Sequence, residues 1–281
     1  MAYTTIDDPS EYFQTAIYSG NSSTLAVTSQ GNATIAPDWV WVKRRNSTST
    51  HALVDSSRGR AKSLGSEASD AEYNTSDTAK DLISFDTNGF TVGPANQRNM
   101  NGNGDTFVAW QWKANGGTTA SNTDGNITST VQANTTAGFS IVTWTGNETS
   151  SASVGHGLGV TPDLVIFKNR SSAYNWVVYL GALGQTSGNN MFAYLNLTNA
   201  AEQGAGITFT SSLLNPGSGA TTNASSMIAY CFNSVQGYSR FGTYVGNGTS
   251  GTDGTFIYTG FKPAMIMTKR ASSADAWVIY D

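Results

Sequence analysis

Pro37-Asp-Trp-Val-Trp-Val-Lys43 occurs twice more with its chemistry kept and its residues changed, as Pro162-Asp-Leu-Val-Ile-Phe-Lys168 and Pro263-Ala-Met-Ile-Met-Thr-Lys269. Each segment is a proline, five mostly apolar residues and a lysine. Apolar side chains at consecutive positions predict a strand covered on both faces, because a strand with one wet face alternates. The proline stands at the strand entry, where its missing N–H costs no ladder bond.

The flanks of the three segments match as well. Upstream, Tyr12 to Asn21, Phe139 to Asn147 and Arg240 to Asn247 each read as a strand closed by a Gly-Asn turn. The turn glycines Gly20, Gly146 and Gly246 precede their prolines by 17, 16 and 17 residues. Downstream lie the short apolar runs His51–Asp55, Trp176–Leu180 and Trp277–Asp281. Coincident spacings in three segments identify a tandem repeat. Asp81 to Gly93 predicts a hairpin around Asn88-Gly89, with Gly206 to Ser211 in the comparable place of the second repeat. The aromatic strands Phe107–Trp112 and Met227–Phe232 close the first two units.

The expected fold is therefore all-β: tandem β-sandwich modules of jelly-roll or lectin-like type. Residues 1–112 form the first unit, 113–137 a Gly/Thr/Ser/Asn-rich linker or arm, 138–236 the second unit, and 237–281 the start of a third. Helix is expected only as a turn or two within Ser69 to Lys80. The third unit has no counterpart of the closing strand. The expectation is that the sequence is a fragment of a longer protein, or that another chain or the second unit completes the sheet, since an open apolar edge is sticky.

Composition narrows the function. Charged residues make up 12% and hydrophobic ones 38%, and the balance is Ser, Thr, Asn and 30 Gly. This suits a turn-rich β protein with a neutral, hydrogen-bonding surface. A net charge of -4, with Lys43-Arg44-Arg45 as the one basic cluster, argues against phosphate neutralisation and hence against nucleic acid as a partner. No apolar stretch approaches the ~20 residues of a membrane span, so membrane insertion is not expected. The single cysteine, Cys231, lies in an apolar run and reads as a buried free thiol.

Candidate chemistry is sparse. His51 and His156 are the two histidines, and neither sits beside a nucleophile motif. Gly155-His-Gly-Leu-Gly159 has the glycines of a phosphate loop but no following helix. Asn99-Met-Asn-Gly-Asn-Gly-Asp105 alternates oxygen side chains as a calcium loop does, yet holds one carboxylate and reads as a turn. Glu11, Glu67, Glu72, Glu148 and Glu202 fall in loops or at strand ends, without the repetition of a paired acid and base. The chain is read as non-enzymatic, with no catalytic, cofactor or metal residues assigned. Of the aromatic residues, Trp39, Trp41, Trp110, Trp112, Trp144 and Trp176 are expected to pack, with stacking on sugar rings as the other use. The repeated lysine is expected at a solvated strand end or beside an acid.

The series Gly-Asn turn, Pro37-Asp-Trp-Val-Trp-Val-Lys-Arg-Arg-Asn46, Phe85-Asp-Thr-Asn-Gly-Phe-Thr-Val-Gly93 and Phe107-Val-Ala-Trp-Gln-Trp-Lys-Ala114 resembles a known family. So does Gly138-Phe-Ser-Ile-Val-Thr-Trp-Thr-Gly-Asn147 followed by Gly155 to Arg170. The family is an uncharacterised repeated β domain of virion structural, tail-associated proteins of marine tailed bacteriophages. The resemblance implies a structural protein on the exterior of the virion, in tail or fibre, serving assembly or host-surface attachment. Expected partners are other virion proteins, copies of itself with a fibre-like trimer as one count, and host-surface glycan. A lectin-like carbohydrate-binding module and a capsid decoration protein are the alternatives. The resemblance brings no site residues with it.

Overall fold

The computed structural model describes residues 4–149, 151–186, 189–204, 206–217, 224–248 and 253–281, so the first three residues of the first unit lie outside it. The fold is all-β, built from several antiparallel sheets. The first sheet runs Phe13–Ser19, Thr106–Trp112, Trp39–Arg44, Ala52–Asp55. Within the nine-stranded second sheet, Phe139–Thr145, Ser226–Phe232, Leu164–Asn169 and Val177–Leu180 follow one another in the same order. The registers agree residue for residue. Trp39 faces Trp112 and Trp41 faces Trp110 in one sheet, while Leu164 faces Phe232 and Ile166 faces Tyr230 in the other. Strand entry agrees too: Asp38 N–H donates to Trp112 O and Asp163 N–H to Phe232 O, both at 2.8 Å. The strands start two residues past their prolines, leaving the aspartate as the entry residue.

A smaller layer covers one face of each sheet. In the first it is Leu25–Val27, Gly89–Val92, Leu82–Asp86, and in the second Val154–Gly155, Leu213–Pro216, Ile207–Phe209, again in the same order. The first hairpin turns at Thr87-Asn88, one residue earlier than Asn88-Gly89, because Gly89 already pairs with Asp86. Gly89 has φ of 100°, and a Cβ there would run into the carbonyl oxygen of Val27. Glycine is needed for both reasons.

The period-two alternation of each central strand divides its side chains between two cores. Val40, Val42 and Val54 pack with Phe90 and Val92 under the first small layer. Val165 and Phe167 pack with Val154 and Leu214 under the second. The opposite faces meet each other: Trp39, Trp41, Trp110 and Trp112 share one core with Phe139, Ile166, Tyr230 and Phe232. Each principal sheet is thus a middle layer, which is why its strands are apolar at consecutive positions.

Three regions depart from or refine the sequence reading. Residues 113–137, expected as a linker or arm, supply Ser129–Asn134, which pairs with Phe139–Thr145, and Ala120–Asn122, which pairs with Ser129–Asn134, so the second sheet is widened by two strands. No helical turn forms in 69–80; Tyr73–Asn74 pairs there with Lys62–Ser63. The cause is tertiary, since Glu72 N–H donates to Arg170 O at 2.9 Å. In the third segment Ile266–Thr268 pairs with Val278–Tyr280 as the equivalent strands do in the other units. Its Met265, Met267, Trp277 and Ile279 pack on the common core.

Trp39 lies at the centre of that core, and its loss tests the arrangement. Trp39→Ala is expected to lower stability by about 3–5 kcal/mol, the usual cost of a buried tryptophan. Urea denaturation followed by near-ultraviolet circular dichroism should show both units weakened together.

Candidate functional site

A group of buried polar side chains in this chain lies where one unit meets the next. Three groups of the second unit hold the loop of the first. Lys168 Nζ donates to Ser69 O at 3.0 Å and Trp176 Nε1 to Gly65 O at 2.8 Å. Arg170 O accepts the Glu72 N–H at 2.9 Å. Their counterparts in the third segment hold the loop of the second unit in the same way. Lys269 Nζ donates to Thr198 O at 3.1 Å and Trp277 Nε1 to Tyr194 O at 2.8 Å. Ala271 O accepts the Ala201 N–H at 2.8 Å. The donors and acceptors keep the same spacing along the chain on both sides of the junction.

The lysine also braces its own unit, reaching the carbonyl twelve residues past its proline each time. Lys43 Nζ meets Ser49 O at 3.0 Å, Lys168 Nζ meets Tyr174 O at 2.8 Å and Lys269 Nζ meets Asp275 O at 2.6 Å. Of the two expectations for this lysine, the solvated strand end does not hold at Lys168, which is fully buried. Burial, opposed by the charge of Asp70, pushes its pKa from 10.5 down to about 8. Lys43 spends its remaining bonds on Arg44 O and Ser47 O, inside its own unit.

An ion network crosses the first junction. Asp55 and Arg58, whose side chains are wholly inaccessible, pair at 2.5 Å. Arg58 also reaches Glu72 at 2.9 Å, and Arg170 of the second unit binds both oxygens of that carboxylate, at 2.8 and 2.9 Å. Tyr230, again of the second unit, donates its hydroxyl to Asp55 at 2.8 Å. Two carboxylates balance two guanidinium groups. Burial opposes ionisation of Glu72, but its hydrogen bonds and charge contacts with Arg170 and Arg58 outweigh this and hold its pKa below the ordinary value. Burial likewise raises the Tyr230 phenol far above the ordinary range.

The residues singled out in the sequence are dispersed. His51 accepts the Trp41 indole N–H at 2.8 Å, and burial together with the Lys43 charge lowers its pKa to about 4. His156 is buried under the second small layer, with its ring nitrogens bonded to the Leu158 N–H and to Thr210 O. In the Asn99–Asp105 stretch, Asn101 ties the turn to Ser23 O and Gly93 O while Asp105 pairs with Arg44. Among the described residues there is no group of three His, Cys, Asp or Glu able to hold a metal. Glu67 accepts the His51 N–H, and Glu202 accepts the Asn199 amide. Burial pushes the Cys231 thiol up to about 12 despite a hydrogen bond with Ser140. Trp39, Trp41, Trp110, Trp112, Trp144 and Trp176 are all buried.

The junction makes two predictions. Glu72→Gln strips both arginines of their shared anion, and removing one member of a buried ion network costs about 3–5 kcal/mol. The stabilisation from Glu72 is present above its unfolded pKa, about 4.3, and is lost as pH falls through the lower folded value. Acid titration monitored by circular dichroism should therefore show a limb in the wild type that the variant lacks. For Lys168 the sign is opposite. Its folded pKa lies below the unfolded one, so the unfolded chain holds the proton more tightly and stability rises with pH between about 8 and 10.4. The stability difference between wild type and Lys168→Met should move in favour of the wild type by about 3 kcal/mol across that window in urea melts.

Neither the curated proteins nor the solved structures provide a match to this chain. A family model does, over residues 8–281. The chain belongs to that family, a domain of unknown function designated DUF7483.

Proposed function

We propose that this chain is a non-enzymatic structural component of a tailed-bacteriophage particle, placed in the tail or fibre on the outside of the virion and serving assembly or host attachment. One observation carries the structural half of the reading: charged and indole groups are spent on locking one unit to the next through the same three-contact junction. Units joined in this way form a stiff tandem body with its polar chemistry directed inward. The sequence resemblance supplies the phage half. A lectin-like role draws less support, because the six tryptophans offered for sugar stacking all pack inside.

Mass spectrometry of purified particles, with immunogold labelling of intact virions, tests the assignment. The protein should appear at stoichiometric copy number, with label at the tail. Absence from particles, with the protein free in the lysate, overturns it.

A further inference from the structure

Five asparagines in this chain are followed by glycine: Asn88, Asn101, Asn103, Asn115 and Asn247. Asparagine is among the chemically labile residues. A following glycine raises that lability, because its main-chain nitrogen has no side chain to shield it and its backbone turns freely. For that nitrogen to attack the asparagine carboxamide, the side chain must be free to rotate and the turn free to flex.

Four of the five are held. Asn101 is fully buried, and its carboxamide is tied to Asn21, Ser23 O and Gly93 O. The Asn88 side-chain oxygen is sealed from solvent, and the Gly89 N–H donates to Ile35 O at 2.8 Å. Asn115 donates its amide to Thr118 O at 3.1 Å, while the Gly116 N–H donates to the Asp38 carboxylate at 2.8 Å. Asn247 lies at the surface but donates its amide to Asp253 O.

Asn103 differs. It is exposed, and its main chain is fixed while its side chain is not. The Asn103 N–H donates to Ser22 Oγ at 2.8 Å, and Asp105 N–H closes the turn on Gly102 O at 3.1 Å. Its carboxamide has no hydrogen-bond partner among the described residues. Gly104 has φ of 77°, with no atom within 4 Å of where a Cβ would stand, and its N–H reaches Gly20 O at a long 3.3 Å.

We propose that Asn103 is a self-modification site, converted to aspartate or isoaspartate by its own backbone. The Gly104 nitrogen bonds to Asn103 Cγ, and the side-chain nitrogen leaves as ammonia, taking up the Gly104 N–H proton. A five-membered succinimide results. Water then adds at one of its two carbonyl carbons and breaks that bond to the ring nitrogen, so each turnover consumes one water and releases one ammonia. The product places a carboxylate two residues from Asp105, which pairs with Arg44. Isoaspartate also adds a carbon to the main chain between the Ser22 contact and the Asn46 amide that donates to Gly104 O at 3.4 Å. The modification therefore loosens the turn that leads into Thr106–Trp112. It stands apart from the particle assignment.

The test incubates the folded full chain in warm, mildly alkaline buffer and maps the conversion by peptide mass spectrometry with fragmentation. Asn103 should convert first. The held sites must open locally before reacting, so each should lag by at least about tenfold. Asn103→Ser changes an exposed side chain without partners, and it should keep the thermal transition while losing the first acidic band in isoelectric focusing. In urea the five sites should react at similar rates, because the restraints are then gone. Earlier conversion at any other pair, equal rates in the folded chain, or the same order in urea overturns the proposal. So does an unreacted Asn103 in a folded chain whose urea-unfolded form converts.

Discussion

The Trp39 ring is the contact on which the rest of the structure depends. It stacks on Trp112 of its own sheet at 4.4 Å and on Tyr230 of the next unit at 4.1 Å, with Phe139 beyond at 5.8 Å. Phe232 extends the series to Phe241 of the third segment at 5.7 Å. Offset and tilted ring pairs contribute roughly 0.5–1.5 kcal/mol each beyond their buried area. The larger consequence is geometric. A sandwich domain normally has one buried and one wet face on each sheet, but here the second face of each principal sheet is closed by the neighbouring unit. Three units placed around one aromatic core cannot behave as beads on a string.

Hydrogen bonding makes that arrangement specific. Apolar faces alone would allow two sheets to slide or rotate, because burial is not directional. At each junction a lysine and an indole reach carbonyl oxygens of the preceding loop, and a carbonyl takes one N–H from it. Buried polar groups are costly unless satisfied, so the docking that gives these lysine and indole donors their carbonyl partners is strongly preferred. The Asp55–Arg58–Glu72–Arg170 network adds charge to the same task at the first junction. Such a network brings little net stability compared with a well-packed apolar substitute, but any arrangement that separates its members is heavily penalised.

Individual residues show how far a one-dimensional reading reached. The repeated proline-to-lysine strands, the closing aromatic strands and the hairpin before Gly93 could be read directly, because period and turn chemistry are local properties. Lys168 was read as a solvated strand end or the partner of an acid: nothing near it in the chain shows that Ser69 O, 99 residues away, will meet its ammonium group. Glu72 was read as one loop carboxylate among five, although two arginines far from it in sequence converge on it. The loops Gly65–Glu72 and Tyr194–Ala201 play the same part without sharing a sequence, because they are gripped by backbone atoms that any residue supplies. The stretch 113–137 looked like a linker for a similar reason, its edge pairing being made by main chain.

What the sequence determined by itself is the all-β class and the burial on both faces of the strands that begin at Trp39 and Leu164. These follow from side-chain periodicity and turn residues, which act over a few positions. What the tertiary structure alone decided is how the units meet: Trp39 against Tyr230, and one lysine and one indole per junction on the preceding loop. Those are contacts between groups tens to hundreds of residues apart, many of them with backbone partners, and no local pattern encodes them.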